Sequence, residues 1–255
     1  MIWIAKGARV LVGLIGLAAF AAIPANAVEC SNERFTDHSF AVCRVDVTEH
    51  DLRLFLDDPA TGRVLGSFNN LADMLEQEGR RLLFAMNAGM YHPDRSPVGL
   101  FIEGSERVAP IVTGASSGNF GLLPNGVFCI RPGRVDVFET RHFARQDIAC
   151  RFASQSGPML VIEGNLHPRF LPDSDSVFIR NGVGTTANGR EAYFVISREP
   201  LNFHTFARFF RDHLGLAQAL YFDGKISKLF APGLDRRDGG FPMGPIVGVV
   251  SDPAQ

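Results

Sequence analysis

The tightest constraint in this 255-residue chain is a recurring local pattern, an apolar run of strand length that ends in a glycine-bearing polar corner. The corners are Asn87-Ala-Gly-Met-Tyr91 followed by Pro97-Val-Gly99, then Ser156-Gly157-Pro158, Arg180-Asn-Gly-Val-Gly184 and Phe222-Asp-Gly-Lys-Ile-Ser227. Glycine has no Cβ, so main chain and neighbouring polar side chains can both come close to a ligand there. A chain with this punctuation is built mainly of strands, and its chemistry sits at their ends.

The rest of the pattern agrees. Alternating or continuous apolar runs predict strands at 40–47, 52–56, 81–86, 98–103, 126–130, 135–139, 158–163, 176–180, 192–197, 219–223 and 246–250. Arg131-Pro-Gly-Arg134 is a turn between two of them. Residues 70–79 read as a short helix capped by Asn69 or Asn70, with Leu71, Met74 and Leu75 on one face. The clearest helix covers 202–214, where Phe203, Phe206, Ala207, Phe210 and Leu214 recur at helical spacing before Gly215. Together these give an α+β fold, a single domain over 28–255 with a central mixed β-sheet flanked by few helices.

The N-terminus reads as an export signal over residues 1–27. Lys6 and Arg9 form a basic start, residues 10–23 an apolar core, and Ala25-Asn26-Ala27 a small-x-small cleavage site. The apolar run is short for a membrane span, so the expected product is periplasmic or secreted and keeps no stable membrane anchor. All four cysteines lie beyond this leader. Four cysteines allow three connectivities; proximity in sequence favours Cys30–Cys43 and Cys129–Cys150 in an oxidising compartment. Once Lys6 and Arg9 are gone, 23 basic against 27 acidic residues leave a charge of −4, with no basic stripe for nucleic acid.

Standard catalytic signatures are missing from the sequence: there is no H-E-x-x-H, no phosphate-binding G-x-x-x-x-G-K-[ST] and no G-x-S-x-G. The chemistry-bearing residues are those of the corners. Arg180 can fork two hydrogen bonds onto a phosphate, helped by main-chain N–H groups in glycine turns. Asp223 can serve as base, acid or metal ligand. Beyond the leader there are 21 arginines but only two lysines, Lys225 and Lys228, both within five residues of Asp223. A compact ammonium fits beside a carboxylate where a planar guanidinium does not.

Taken in order, Asn87-Ala-Gly-Met-Tyr91, Pro97-x-Gly99, Ser156-Gly-Pro-Met-Leu160, Arg180-x-Gly-Val-Gly184, Phe194-Val-Ile-Ser197, a helix and Phe222-Asp-Gly-x-x-Ser227 resemble the phosphodiester glycosidase family over roughly residues 80–250. The resemblance implies hydrolysis of a sugar-1-phosphate diester by a domain of that family's fold. It marks Asp223, Arg180 and Asn87 as catalytic. It also marks Gly89, Tyr91, Ser156, Gly157, Gly184, Ser197, Gly224 and Ser227 as substrate-binding. Two further candidates come from position alone: His204, on the first turn of the strong helix, as a proton donor or a packing residue, and Lys225 as a charge that balances the substrate's. The implied partner is a small molecule or glycan carrying a sugar phosphodiester. No cofactor is implied; a single acidic residue in a motif is too few ligands to assert a divalent cation.

One departure stands out: family members typically read Asp-Gly-Gly-Gly-Ser in the last corner, and here Lys225 and Ile226 replace two glycines. That keeps open a second reading, an envelope glycan-binding protein that retains the pocket without turnover. A third is an acyl hydrolase using Ser156 or Ser227 with His204. Glu163 and Asp238 are further acidic residues, both expected at the surface.

Overall fold

The computed structural model describes residues 1–2, 27–223 and 226–253. The leader read at 1–27 thus falls almost wholly outside the described residues, as do Gly224 and Lys225. In chain order the strands are β1 (Glu29–Phe35), β2 (His38–Asp46), β3 (Asp51–Phe55), β4 (Leu82–Asn87), β5 (Phe101–Glu103) and β6 (Glu106–Ala109). They continue with β7 (Gly126–Arg131), β8 (Arg134–Glu139), β9 (Phe152–Ser156), β10 (Met159–Ile162), β11 (Asn165–Leu166) and β12 (Asn181–Thr185). The last are β13 (Glu191–Ser197), β14 (Gln218–Tyr221), β15 (Leu229–Ala231), β16 (Arg236–Arg237) and β17 (Ile246–Val250). Among the described residues the helices are short: α1 (Phe68–Gln77), α2 (Thr140–Ala144) and α3 (Phe203–Arg208), the last running into a π-turn at Phe209–His213.

The expectation of one strand-rich domain with few helices holds. The single mixed sheet is corrected to three antiparallel ones, with orders β1-β2-β13-β12-β14-β10-β11, β16-β15-β4-β17-β3 and β6-β5-β9-β7-β8. The smaller sheets are likewise antiparallel throughout. The Pro132-Gly133 turn, with Gly133 at φ +64°, closes the β7–β8 hairpin as expected.

The sheets meet on phenylalanine rings. Phe84 of β4 lies 5.0 Å from Phe194 of β13, and Phe128 of β7 lies 5.9 Å from Phe194 and 6.1 Å from Phe222. All four are fully buried. On its other face the seven-stranded sheet is covered by α3 and the π-turn, with Phe40 stacked on Phe209 at 3.9 Å. The adjacent Phe209 and Phe210 are both buried. A regular α-turn points consecutive residues about 100° apart, and the wider π-turn lets both rings reach the core.

Caps explain the helix boundaries. Ser67, rather than Asn69 or Asn70, starts α1, its Oγ accepting from Asn70 N at 3.1 Å while Phe68, Leu71 and Leu75 turn inward. Asn202 caps α3 through Oδ1 to Thr205 N at 2.9 Å. Both disulfides pair as proximity suggested. Cys30 and Cys43 face each other across β1 and β2, and Cys129 joins β7 to Cys150 just before β9.

The third corner differs most from expectation. Residues 176–180 do not form a strand, whereas the glycine-rich Asn181–Thr185 segment is one, entirely buried and paired on both sides. Glycine here serves close packing. A Cβ on Gly182 would come 2.5 Å from the Leu220 carbonyl oxygen, and one on Gly184 would come 2.7 Å from Leu216 and 2.9 Å from Phe210. Gly184 is therefore an interior packing position, set under the π-turn. Gly182→Ala should lower the free energy of urea unfolding by about 1–3 kcal/mol through overpacking against main chain. At Gly233, where a Cβ meets nothing within 4 Å, alanine should change it by less than about 0.5 kcal/mol.

Candidate functional site

Hydrogen bonds tie four corners together at one end of the sheets. Asn87, the last residue of β4, is 1% exposed. Its Oδ1 accepts from Asn181 Nδ2 and, at 2.8 Å, from Lys228 N. Asn181 opens β12, is fully buried, and accepts Asp223 N on its own Oδ1 at 3.1 Å. Ser156, ending β9, donates to the Phe222 carbonyl at 2.6 Å. Ser227 donates to the carbonyls of Ile179 at 3.0 Å and Asp223 at 3.1 Å. Ser197 Oγ accepts from Arg180 N at 2.9 Å.

Three serines picked out as substrate ligands thus spend their hydroxyls on main chain and hold the corners in place. The two glycines serve the same end. Gly89 N donates to Ser154 Oγ at 3.1 Å, and a Cβ on Gly89 would sit 2.6 Å from the Gln155 carbonyl oxygen. One on Gly157 would sit 2.5 Å from Asn125 Cβ.

Among the described residues Arg180 is the largest fully buried side chain. Its Nε donates to the Leu201 carbonyl and its Nη2 to the Ser176 carbonyl, each at 2.7 Å. The guanidinium lies 3.6 Å from the Phe203 ring centroid, and Phe203 in turn stacks on Phe170 at 5.0 Å. Two of its donor groups are therefore committed to the loops that frame the corner. The remaining one, Nη1, is buried without a hydrogen bond, and the Tyr221 hydroxyl is in the same condition. Burial pushes the Arg180 guanidinium down and the Tyr221 phenol up, and attraction between the two opposes both shifts.

Asp223 follows Tyr221 at a two-residue spacing and acts on two phenols. The partly buried Tyr91 is pushed up to about 12, first by burial and then by the Asp223 carboxylate, against the pull of Arg95 over its ring at 5.4 Å. The site thus gathers Asp223, Tyr91, Tyr221, Arg180 and the two asparagines. A cleft of about 670 Å³ adjoins it, lined by Phe178, Ile179, Ser197, Arg198, Ser227 and Arg236. Lys228 turns its Nζ to the Phe241 carbonyl; burial lowers its affinity for the proton, with Asp238 opposing. Asp238 is half-buried, taking Leu229 N at 2.9 Å and pairing with Arg236, while Glu163 is an exposed turn residue.

His204 is not brought to this group. The charges that act on it are Arg208, Arg211 and Asp212 of its own helix and π-turn, and burial, the leading cause, lowers its proton affinity further. Among the described residues no three His, Cys, Asp or Glu side chains are grouped to hold a metal ion.

Asn181 is the residue that the motif reading passed over, as the variable position after Arg180. The signal available was a lone carboxamide at the mouth of an otherwise apolar and glycine strand. A buried carboxamide needs partners, and the polar candidates were those of the other corners. Asn87 Nδ2 is buried without a protein partner.

A carboxyl raised by burial lies elsewhere. Glu103, at the end of the β5–β9 ladder remote from Ser156, is raised to about 7 by burial and then by Asp57. Its folded-state value lies above its ordinary one of 4.5, so the folded protein holds the extra proton between the two. Stability contributed by the protonated form is lost as pH rises through that window. Glu103→Gln should therefore melt higher than the parent at about pH 8 and alongside it at about pH 4; thermal melts across that range check this.

Comparison with known proteins gives concordant results. Residues 80–240 match the family model described as phosphodiester glycosidase. The uncharacterized protein YigE of Escherichia coli K12 is 34% identical over 174 residues, covering 68% of this chain and 67% of that one. Among solved structures, the catalytic domain of zebrafish N-acetylglucosamine-1-phosphodiester alpha-N-acetylglucosaminidase, auto-inhibited by its pro-peptide, superposes with a TM-score of 0.61. The two are 12% identical, and the match covers 90% of this chain and 84% of that one. A putative exported protein from Burkholderia pseudomallei gives a TM-score of 0.50 at 12% identity, covering 83% and 74%. At these identities the structural likeness is one of fold.

Proposed function

The chain belongs to the phosphodiester glycosidase family, and on that premise we propose that it is an exported hydrolase cleaving a glycosyl-1-phosphodiester, with release of the sugar from a phosphate-linked aglycone. The observation that carries the reading is the convergence of the corners on Asp223. Its main-chain N–H is held by Asn181 and its carbonyl by Ser227, and two phenols, the buried Tyr221 and the partly buried Tyr91, act on it through charge. A leader at residues 1–27 and two disulfides support a periplasmic or secreted setting.

In this reading the Asp223 carboxylate orients a water molecule against the anomeric carbon and stabilises the positive charge that develops there. The water oxygen bonds to that carbon as the bond from carbon to the phosphate oxygen breaks. The electron pair leaves on the phosphomonoester, and the water's proton passes to Asp223. Arg180 Nη1, its other donors committed, takes one phosphoryl oxygen together with the Tyr221 hydroxyl. Asn87 Nδ2 takes another oxygen of the substrate. A phosphomonoester leaves readily, so the reaction does not depend on a second carboxyl as strong acid.

The test is a panel of glycosyl-1-phosphodiesters that includes N-acetylglucosamine-1-phospho-mannoside, with free sugar and phosphomonoester followed together. The expected result is equal release of both products. Asp223→Asn should lower kcat by about 10²–10⁴-fold with an unchanged melting temperature. A folded protein that binds members of the panel but cleaves none establishes the glycan-binding reading, for which the Lys225 and Ile226 departures are the sequence evidence.

A further inference from the structure

Two main-chain amides fix the direction of two buried side chains. Lys228 N–H can only donate, so the Asn87 atom 2.8 Å away must be Oδ1. By the same reasoning the Asn181 atom 3.1 Å from Asp223 N is its Oδ1. The carboxamides then meet with Asn181 Nδ2 donating to Asn87 Oδ1. Every polar atom in this chain of contacts has a partner except the last, Asn87 Nδ2.

The carboxamide pair gives two main-chain donors, Lys228 N–H and Asp223 N–H, their acceptors. One side-chain NH2 closes the contact between the two carboxamides. The other, on Asn87, is left unspent, and a buried donor of that kind is accounted for where a ligand supplies the acceptor. We propose that Asn181 is a positioning residue: together with Lys228 N–H it turns the Asn87 NH2 group away from the protein's own acceptors and toward a substrate oxygen, and it holds the Asp223 main chain beside it. The identity of that oxygen, sugar hydroxyl or phosphoryl, rests on the phosphodiester reading. The orientation of the amides does not.

Two near-isosteric variants separate the roles. Asn181→Asp still accepts from Asp223 N–H but sets a carboxylate against Asn87 Oδ1. The Asn87 carboxamide therefore turns to give its NH2 to that carboxylate, at the expense of the Lys228 N–H bond that favours the parent orientation. Asn87→Asp keeps acceptors for both Asn181 and Lys228 and removes the NH2, at the cost of a buried carboxyl that those two donors meet; thermal melts of both variants establish that each is folded before its spectra are read. Without any ligand, the Asn87 side-chain NH2 resonances in ¹⁵N–¹H NMR spectra, assigned by their loss in Asn87→Asp, should move downfield in Asn181→Asp. An unmoved pair of resonances overturns the proposal.

With N-acetylglucosamine 1-phosphate as probe, those resonances should shift in the parent and stay put in Asn181→Asp; equal responses overturn it. Against a cleaved diester, each single variant and the double variant should lose kcat/KM by the same factor of about 10–100. Losses that multiply in the double variant reduce Asn181 to a structural role. If no diester is cleaved, the proposed activity fails, and the ligand-free spectra still decide the role of Asn181.

Discussion

The contact of Phe84, Phe128 and Phe194 is the constraint on which the rest depends. One ring comes from each sheet, and all three are fully buried. Rings of this size bury large apolar areas and settle into tilted or edge-on contacts at these separations. Three antiparallel sheets have no shared hydrogen-bond ladder to align them. Ring packing supplies the alignment instead, and with it the levels at which β4, β9, β12 and β14 end or begin. The polar corners share one end of the molecule because the apolar rings beneath them are locked together.

Above that core the site is built by side chains that hold main chain rather than by an open array of exposed groups. Ser156, Ser197 and Ser227 each fasten one corner to another. Arg180 is a buried cation whose charge is met by two carbonyls and an aromatic face. Removing a buried charge from water is costly unless such partners are in place, and meeting that requirement also pins the loops at Ser176 and Leu201. The outcome is a rigid frame with few unspent polar atoms. Those few, Arg180 Nη1, Tyr221 OH and Asn87 Nδ2, are buried near the acidic corner. Preorganised donors of this kind act most strongly where water is excluded.

Much of this was legible in the chain. Alternation located most strands, and Ile246–Val250 lies where the apolar run placed it. The Pro132-Gly133 turn, the Asn202 cap and the two disulfide pairings follow from local rules. The family, too, was carried by ordered motifs. Two local readings failed for physical reasons. Ser67 displaced Asn69 and Asn70 as the cap because Phe68 turns inward and draws the helix start back toward the core. Asn181–Thr185 reads as a loop by composition, but its glycines let β14 and the π-turn approach, so packing overrides local preference.

By itself, then, the sequence determined where most of the strands lie, where several of them turn, which cysteines join and which family the chain belongs to. Each of those is set by neighbours in sequence or by residue type. Only the tertiary structure decided that there are three sheets rather than one, that His204 stands apart, that Arg180 keeps one guanidinium nitrogen without a hydrogen bond, and that Asn181 links the first corner to the last. Those outcomes depend on partners far apart in the chain, such as Asn87 and Asn181 at a separation of 94 residues. A side chain's hydrogen bonds are set by which groups the folded core leaves within about 3 Å of it, and no local pattern carries that information.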